Sequence, residues 1–185
     1  MKLAFLLAVL MLSQLFSVAQ SQKINTHIEF GGVRGIQLSK TFPILKSGGL
    51  AQFNVSKSFG NYVQLGLGTA YIQLEDEEFI PLFLYARASK KSEGNSFYFN
   101  TSVGYARASN LIFESAVYSQ YVGKMYFSPG MGYYYNISPK WGLTAGINYI
   151  LQKVDLEHYN TNYELYYTES LTLDLIVFKF GVTLH

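Results

Sequence analysis

The strongest constraint in this sequence is a pair of alternating runs between residues 125 and 151. In the first run, Phe127, Met131, Tyr133 and Tyr135 alternate with Ser128, Gly130, Gly132, Tyr134 and Asn136. A turn signal follows at 136–140, and then Trp141, Leu143, Ala145, Ile147 and Tyr149 alternate with Gly142, Thr144, Gly146 and Asn148. A period of two predicts β-strands, and two such runs around a short turn predict a hairpin.

The two faces of this hairpin have the opposite chemistry to those of a soluble sheet. One face is large and apolar with aromatic residues near its ends, and the other consists of Gly, Ser, Thr and Asn with almost no charge. Glycine is a poor residue for a solvent-facing strand. In a membrane β-barrel, however, the apolar face meets lipid and the small, polar face lines the lumen. We therefore expect a membrane barrel.

Composition agrees with this interpretation and excludes several classes. Of 185 residues, 14% are charged and 17% aromatic, and the formal net charge is +2. Soluble domains carry about 25% charged residues. The weak net charge does not favour nucleic-acid binding. The absence of cysteine excludes disulfides and thiolate metal sites.

The first 19 residues differ from the rest. A basic start, an apolar run from Leu3 to Phe16 and the small residues Ser17 and Ala19 predict a secretory signal peptide cleaved near Ala19. The alternative, a transmembrane helix, is too short for about 30 Å of hydrocarbon. We expect residues 1–19 to be removed and residues 20–185 to form one barrel domain.

Alternation divides that domain into eight strands. They are predicted at 23–32, 50–58, 62–74, 79–89, 96–107, from about 120 to the turn at 136–140, from 141 onwards, and at 170–184. In strand four, Ile80, Leu82 and Leu84 are assigned to lipid, and Tyr85 and Arg87 to the lumen. The longer connections are 33–49, 108–119 and 155–169. The acidic run 75–78 is expected to be a solvated loop tip rather than a calcium site. Pro129 predicts a bulge or a local irregularity, because it cannot donate to a ladder.

These features together resemble the small outer-membrane β-barrel (porin-like, OmpA/OmpX-type) superfamily. The signal peptide, the eight segments, the hairpin GMGYYYNISPKWGLTAGINY and the closing VFKFGVTLH carry the resemblance. It implies an all-β, eight-stranded antiparallel up-and-down transmembrane barrel in the outer membrane of a Gram-negative bacterium. It also implies outer-membrane lipid and the barrel-assembly machinery as partners. Short turns on one side and longer loops on the other place both termini in the periplasm.

Four polar residues are predicted in the lumen, and six aromatic residues at the membrane interfaces. Strand eight must pair with strand one in a closed barrel, so Glu29 and Lys179 are expected at similar depth as an ion pair, with Arg87 as the rival partner for Glu29. His27 is the fourth lumen residue. The predicted interface aromatics are Tyr62, Tyr71, Tyr105, Tyr135, Trp141 and Tyr149.

We expect no enzymatic activity, no metal and no cofactor. The three histidines, His27, His158 and His185, lack metal-ligand spacing. A deacylase-like barrel site needs a serine beside a histidine, and the sequence shows none next to His27. A non-enzymatic envelope-structural or surface-interaction role is therefore favoured. The alternatives are a small passive pore, an accessory subunit of a secretion or uptake complex, and, less favoured, a soluble lipocalin-like carrier.

The predicted topology can be tested by cysteine labelling in intact cells. Cysteines at Ser47, Ser109 and Asn160 lie in the predicted outer loops, so a membrane-impermeant maleimide should label them. Cysteines at Asn61 and Ser138 lie in the predicted periplasmic turns and should stay unlabelled until the envelope is opened. Labelling of the two turn positions in sealed cells would reverse the orientation.

Overall fold

A computed structural model describes residues 24–36, 46–60, 62–75, 77–89, 94–108, 111–114, 117–160 and 165–185. Its strands are β1 (Ile24–Gly35), β2 (Ser47–Phe59), β3 (Val63–Leu74), β4 (Glu77–Ser89), β5 (Ser96–Ala108), β6 (Leu111–Glu114), β7 (Val117–Ser138), β8 (Trp141–Asn160) and β9 (Leu165–Leu184). In this part of the chain no helix is long and apolar enough to cross a membrane. The predicted signal peptide lies outside the described residues.

All strand pairs are antiparallel, and the sheet closes on itself. Pairing runs from β5 through β4, β3, β2, β1, β9 and β8 to β7, and β7 pairs back to β5. The short β6 pairs only with β7 and lies outside this ring. The ring therefore contains eight strands, which confirms the predicted up-and-down barrel.

The two faces of the barrel are those that alternation predicted. Leu65 and Leu67 are 47% and 60% exposed on the outside, whereas the neighbouring lumen face of β3 turns inward. In β4, Leu82 and Leu84 point outward, while Tyr85 and Arg87 are buried. The sheet is apolar outside, which is the arrangement that lipid selects.

The last three strands are much longer than predicted. β7 has 22 residues and β8 and β9 have 20 each, against 12 or 13 for β1 to β5. The predicted loops 108–119 and 155–169 are thus largely strand. Their tyrosine-rich, polar composition hid the alternation, because neither face of these segments is uniformly apolar. We call β6 together with residues 117–123, 154–160 and 165–173 the extension.

The extension rises at the end of the barrel opposite the tight turns. We call these two ends the extension end and the turn end. At the turn end, Gly60 has a left-handed backbone (φ 63°) between β2 and β3, which glycine adopts without strain. The chain returns from β7 to β8 through a two-residue turn, Pro139 and Lys140. The predicted loop 33–49 is shorter than expected, since β1 reaches Gly35 and β2 starts at Ser47.

The predicted acidic loop tip is wrong for Glu77. β4 begins at Glu77, whose side chain is 3% exposed and forms an ion pair with Lys46. Glu75 lies in the turn between β3 and β4 and has a positive φ of 31°. A buried carboxylate requires a partner, and Lys46 supplies it from the start of β2.

A local irregularity occurs at Pro129, as predicted, and a bulge occurs elsewhere. Pro129 stays in register with Thr101 of β5, but the pairing of β7 with β8 is interrupted at 128–129, between Phe127–Leu151 and Gly130–Asn148. The register of β7 with β8 shifts between Gly123 and Tyr126. The extra residue leaves both Lys124 and Met125 exposed. A bulge inserts one residue into one strand and re-aims its side chains.

The seam between the first and last strands carries the predicted ion pair. β1 pairs with β9 from Thr26–Leu184 to Gly35–Leu175. Lys179 Nζ lies 2.9 Å from Glu29 Oε2, and both residues are 2% exposed. Glu29 thus pairs with Lys179 rather than with Arg87.

Replacing Leu65 by arginine should destabilise the barrel by about 2–4 kcal/mol, because Leu65 lies on the apolar outward face of β3 and is predicted near the middle of the bilayer. The predicted mid-bilayer positions Val103 and Ile147 are also exposed and should respond alike. Urea unfolding in lipid vesicles measures the effect. Thr172→Arg, on the outward face of the extension, is the matched control and should cost less than about 1 kcal/mol. Equal costs would mean that depth in the membrane is wrongly assigned.

Removing one member of the Glu29–Lys179 pair should cost more than removing both. A single change leaves a buried charge unpaired, at a cost of about 3–5 kcal/mol. Glu29→Gln, Lys179→Met and the double variant should be compared by urea unfolding in vesicles. Strictly additive free energies would show that the two side chains do not interact.

The lumen as the candidate functional site

The lumen has two layers of different chemistry. The layer towards the turn end is polar, and its buried side chains include Asn25, His27, Glu29, Gln52, Asn54, Ser56, Arg87, Asn100, Ser102, Ser128, Thr144, Asn148, Lys179 and Thr183. The layer towards the extension end is an apolar cluster that includes Val33, Leu50, Ile72, Leu74, Phe79, Phe83, Tyr126, Ile150, Val154, Leu173, Leu175 and Val177. Inward-facing residues of neighbouring strands build both layers.

Lys179 is the centre of the polar layer at the seam. Besides the Glu29 carboxylate, its ammonium donates to Gln52 Oε1 at 3.3 Å. Gln52 in turn donates to Asn54 Oδ1 at 3.2 Å. Lys179 of β9 is thereby bonded to both β1 and β2. The ion pair thus has an additional hydrogen bond of the kind that a buried pair requires.

Arg87 binds to the aromatic part of this layer instead of to a carboxylate. Its guanidinium carbon lies 3.8 Å from the centre of the Tyr98 ring, a cation–π contact. Tyr98 lies against the backbone of Gly132 and Gly146, where an added Cβ would overlap its phenol. The glycines therefore make room for the ring, and the ring supports the arginine.

His27 has serine and threonine partners that the linear sequence did not reveal. Nε2 lies 3.1 Å from Ser56 Oγ, and Nδ1 lies 2.9 Å from Thr183 Oγ1. The expectation that no serine neighbours His27 is wrong, because strand pairing brings Ser56 of β2 beside β1. Arg87 Nη1 is 3.4 Å from the same Nδ1.

The Ser56–His27 contact does not make a hydrolytic site of the usual kind. A triad uses a carboxylate to orient the histidine and stabilise its cation, whereas here a threonine hydroxyl and an arginine occupy that side. Both Ser56 and His27 are at most 2% exposed. These contacts link β1 to β2 through Ser56 and to β9 through Thr183.

The apolar layer fills the lumen above the polar one. Phe83 and Tyr126 stack with ring centres 5.4 Å apart, and both are at most 2% exposed. Ala106 and Val154 are completely buried beside them in the same cluster. Eight-stranded barrels have a lumen that side chains can just fill, and this layer shows that arrangement.

At the turn end, His185 closes the polar layer. Its ring nitrogens lie 2.7 Å from Tyr134 Oη and 2.7 Å from Asn25 Oδ1. These contacts join β9, β7 and β1 at the mouth of the barrel. The partners of Tyr134, Tyr98 and Thr183 follow only from the three-dimensional pairing of the strands, and the linear sequence gives no signal for them.

The predicted interface aromatics lie on the outward face. Tyr62, Tyr71, Tyr105, Tyr135 and Trp141 are 38–62% exposed. Tyr149 is partly covered and donates a hydrogen bond to Asp174. Their role at the membrane interfaces stays a prediction. In the described part of the chain, no group of three His, Cys, Asp or Glu side chains could hold a metal ion.

Comparison with known proteins supports the fold rather than a particular activity. No protein-family model matches the chain, and no curated protein is significantly similar in sequence. Among solved structures, Neisserial surface protein A matches with a TM-score of 0.62 and 13% identity, over 87% of this chain and 96% of that chain. The outer membrane protein OprG from Pseudomonas aeruginosa matches with a TM-score of 0.60 and 9% identity, over 89% and 97%.

A third structure, the outer membrane protein AlkL in lipid bilayers, gives a TM-score of 0.59 at 12% identity, over 88% of this chain and 90% of that chain. At such low identity the agreement concerns architecture. It extends over nearly the whole of each chain. The chain therefore shares the fold of small eight-stranded outer-membrane β-barrels.

Proposed function

We propose that this protein is a non-enzymatic, integral outer-membrane barrel whose role is surface interaction through the extension. The observation that carries the proposal is the contrast between a filled lumen and strands that continue far beyond the barrel. In the described part of the chain, the register of β1 with β9 ends at Gly35–Leu175, followed by one bond from the Ile36 N–H to the Asp174 carbonyl, yet β9 stays paired with β8 as far as Leu165. In this proposal the extension faces the exterior and the tight turns face the periplasm.

The extension is large enough to stand above a membrane. A strand rises about 3.3 Å per residue, and a tilt near 45° reduces this in height. Residues 165–173 of β9 therefore reach roughly 20 Å beyond the barrel rim. Four strands share this height, because β6, β7 and β8 are paired alongside.

The base of the extension is braced across three strands. Lys124 Nζ of β7 lies 2.5 Å from Asp155 Oδ2 of β8, and Ser170 Oγ of β9 donates to Asp155 Oδ1 at 2.7 Å. The hydrogen bond from Lys124 and, as a smaller contribution, the one from Ser170 lower the pKa of Asp155 below its usual value. The bulge at Lys124 is what turns this side chain outward to reach Asp155.

The upper part of the extension carries an aromatic row. Strand pairing places Phe113, Tyr118, Tyr159 and Tyr166 directly opposite one another across the four strands. Tyr166 is 60% exposed. Tyrosine is enriched in protein interfaces, where it supplies contact area together with a polar group. The exposed Tyr166 therefore suits contact with a partner protein at the cell surface.

The filled lumen disfavours the alternative of a passive pore. In planar bilayers the purified, folded protein should show no stepwise conductance, with a sixteen-stranded porin as positive control. The buried Ser56–His27 pair likewise supports a role other than catalysis, since nothing in the described residues gives it a substrate-sized opening.

Photo-crosslinking in living cells tests the surface role directly. A benzophenone amino acid at Tyr166 should give discrete protein adducts. The same amino acid at Leu84, which faces lipid and is 67% exposed, should give none. Adducts at Leu84 alone would favour the alternative of an accessory subunit in a membrane complex. Stable conductance steps, or no adduct at Tyr166, would contradict the proposed role.

A further inference from the structure

An apolar groove crosses the outward surface of β1, β2, β3 and β4. Its volume is about 370 Å³, which is within the range of small-ligand sites. Ala51 lies in its middle, with Phe30 on one side and Tyr71 on the other in the same register row. Ile80 and Phe53 complete the rim, and these four large side chains are 39–61% exposed. The small Ala51 among large neighbours creates the depression.

The groove has no polar group that needs a polar ligand. Thr69, which also lines it, donates its hydroxyl to the Pro81 carbonyl at 2.9 Å. Pairing of β3 with β4 is interrupted beside this bond, between Thr69–Leu82 and Ile72–Phe79, because Pro81 has no N–H. Because the Thr69 hydroxyl is already hydrogen-bonded within the sheet, the surface of the groove is apolar and suits a hydrocarbon chain.

Towards the extension end, the groove continues over bare backbone. The next outward row contains Gly32 and Gly49, which are register partners, and both are exposed. A Cβ added to Gly32 would meet nothing within 4 Å, so this strip is open. Arg34 follows Gly32 on the outward face of β1 and is exposed. Its Cα lies about 13 Å along the strand from that of Phe30.

Charge at the top of the groove is divided between its two sides. Arg34 stands on the β1 side, while Glu78 stands on the β4 side, where the Tyr71 hydroxyl bonds to its carboxylate. An anionic group above the groove is therefore drawn towards β1. Arginine matches phosphate by its planar, multidentate donors.

We infer that the groove binds one acyl chain of a phosphate-bearing membrane lipid and that Arg34 binds its phosphate. The chain lies over Ala51 between Phe30 and Tyr71, and the bare glycines let the headgroup approach the backbone. The inference goes beyond the proposed surface role and does not depend on the extension, since no residue of the groove belongs to it.

Native mass spectrometry of the full-length protein tests this assignment. The protein is released from vesicles containing equal amounts of dimyristoyl phosphatidic acid and dimyristoylglycerol, which differ in the phosphate. The wild-type protein should retain one molecule of phosphatidic acid. Ala51→Phe fills the groove and should lose that lipid. Arg34→Gln should keep the groove but reduce the preference for phosphatidic acid about fivefold, which is the contribution of one cation near a headgroup.

The matched control is Ala145→Phe, an outward alanine on β8 away from the groove, and it should retain lipid like the wild type. Heat-modifiable gel mobility confirms that each variant is folded. Equal lipid retention by Ala51→Phe and Ala145→Phe would overturn the site. An unchanged preference in Arg34→Gln would overturn the role of the arginine. A wild-type dimer that Ala51→Phe abolishes would assign the groove to a second copy of the chain instead.

Discussion

The pairing of every backbone N–H and C=O is the constraint on which this structure depends. Hydrocarbon offers no water to an unpaired strand edge, so a membrane sheet must close. Here closure is completed by β5 with β7 and by β1 with β9. A closed ring of eight strands is narrow, so its inward side chains meet one another rather than water. Buried groups such as Lys179 and Glu29 must then satisfy each other.

The two layers of the lumen accommodate their buried side chains in different ways. Near the turn end, charged and amide groups form hydrogen bonds between strands, as Lys179 does with Glu29 and Gln52. Other buried polar atoms of this layer, such as Asn100 Oδ1 and Thr144 Oγ1, have no partner among the described residues. Near the extension end, apolar residues such as Phe83 and Tyr126 exclude water by packing. Hydrogen bonds in the polar layer link neighbouring strands, and the side chains of the apolar layer fill the lumen.

Alternation was sufficient to predict the barrel but not the full length of its strands. It assigned Leu82 and Leu84 to lipid and Arg87 to the lumen, because a period of two separates the faces wherever one side meets hydrocarbon. Above the membrane both faces of a strand meet water or partners, and the pattern is lost. That is why residues 155–169 read as a loop. Contacts across strands, such as Ser56 with His27, depend on register and leave no trace in the linear sequence.

The packing of Tyr98 on two glycines has a consequence for how this protein can diverge. Gly132 and Gly146 lie on two different strands, and the phenol occupies the space that a side chain at either position would need. An alanine at one glycine must displace the ring, and the ring is the surface on which Arg87 rests. Among descendants of this sequence, Gly132 and Gly146 should therefore remain glycine, because an added Cβ would meet the Ala145 and Met131 carbonyl oxygens at 2.4 and 2.9 Å as well as the ring.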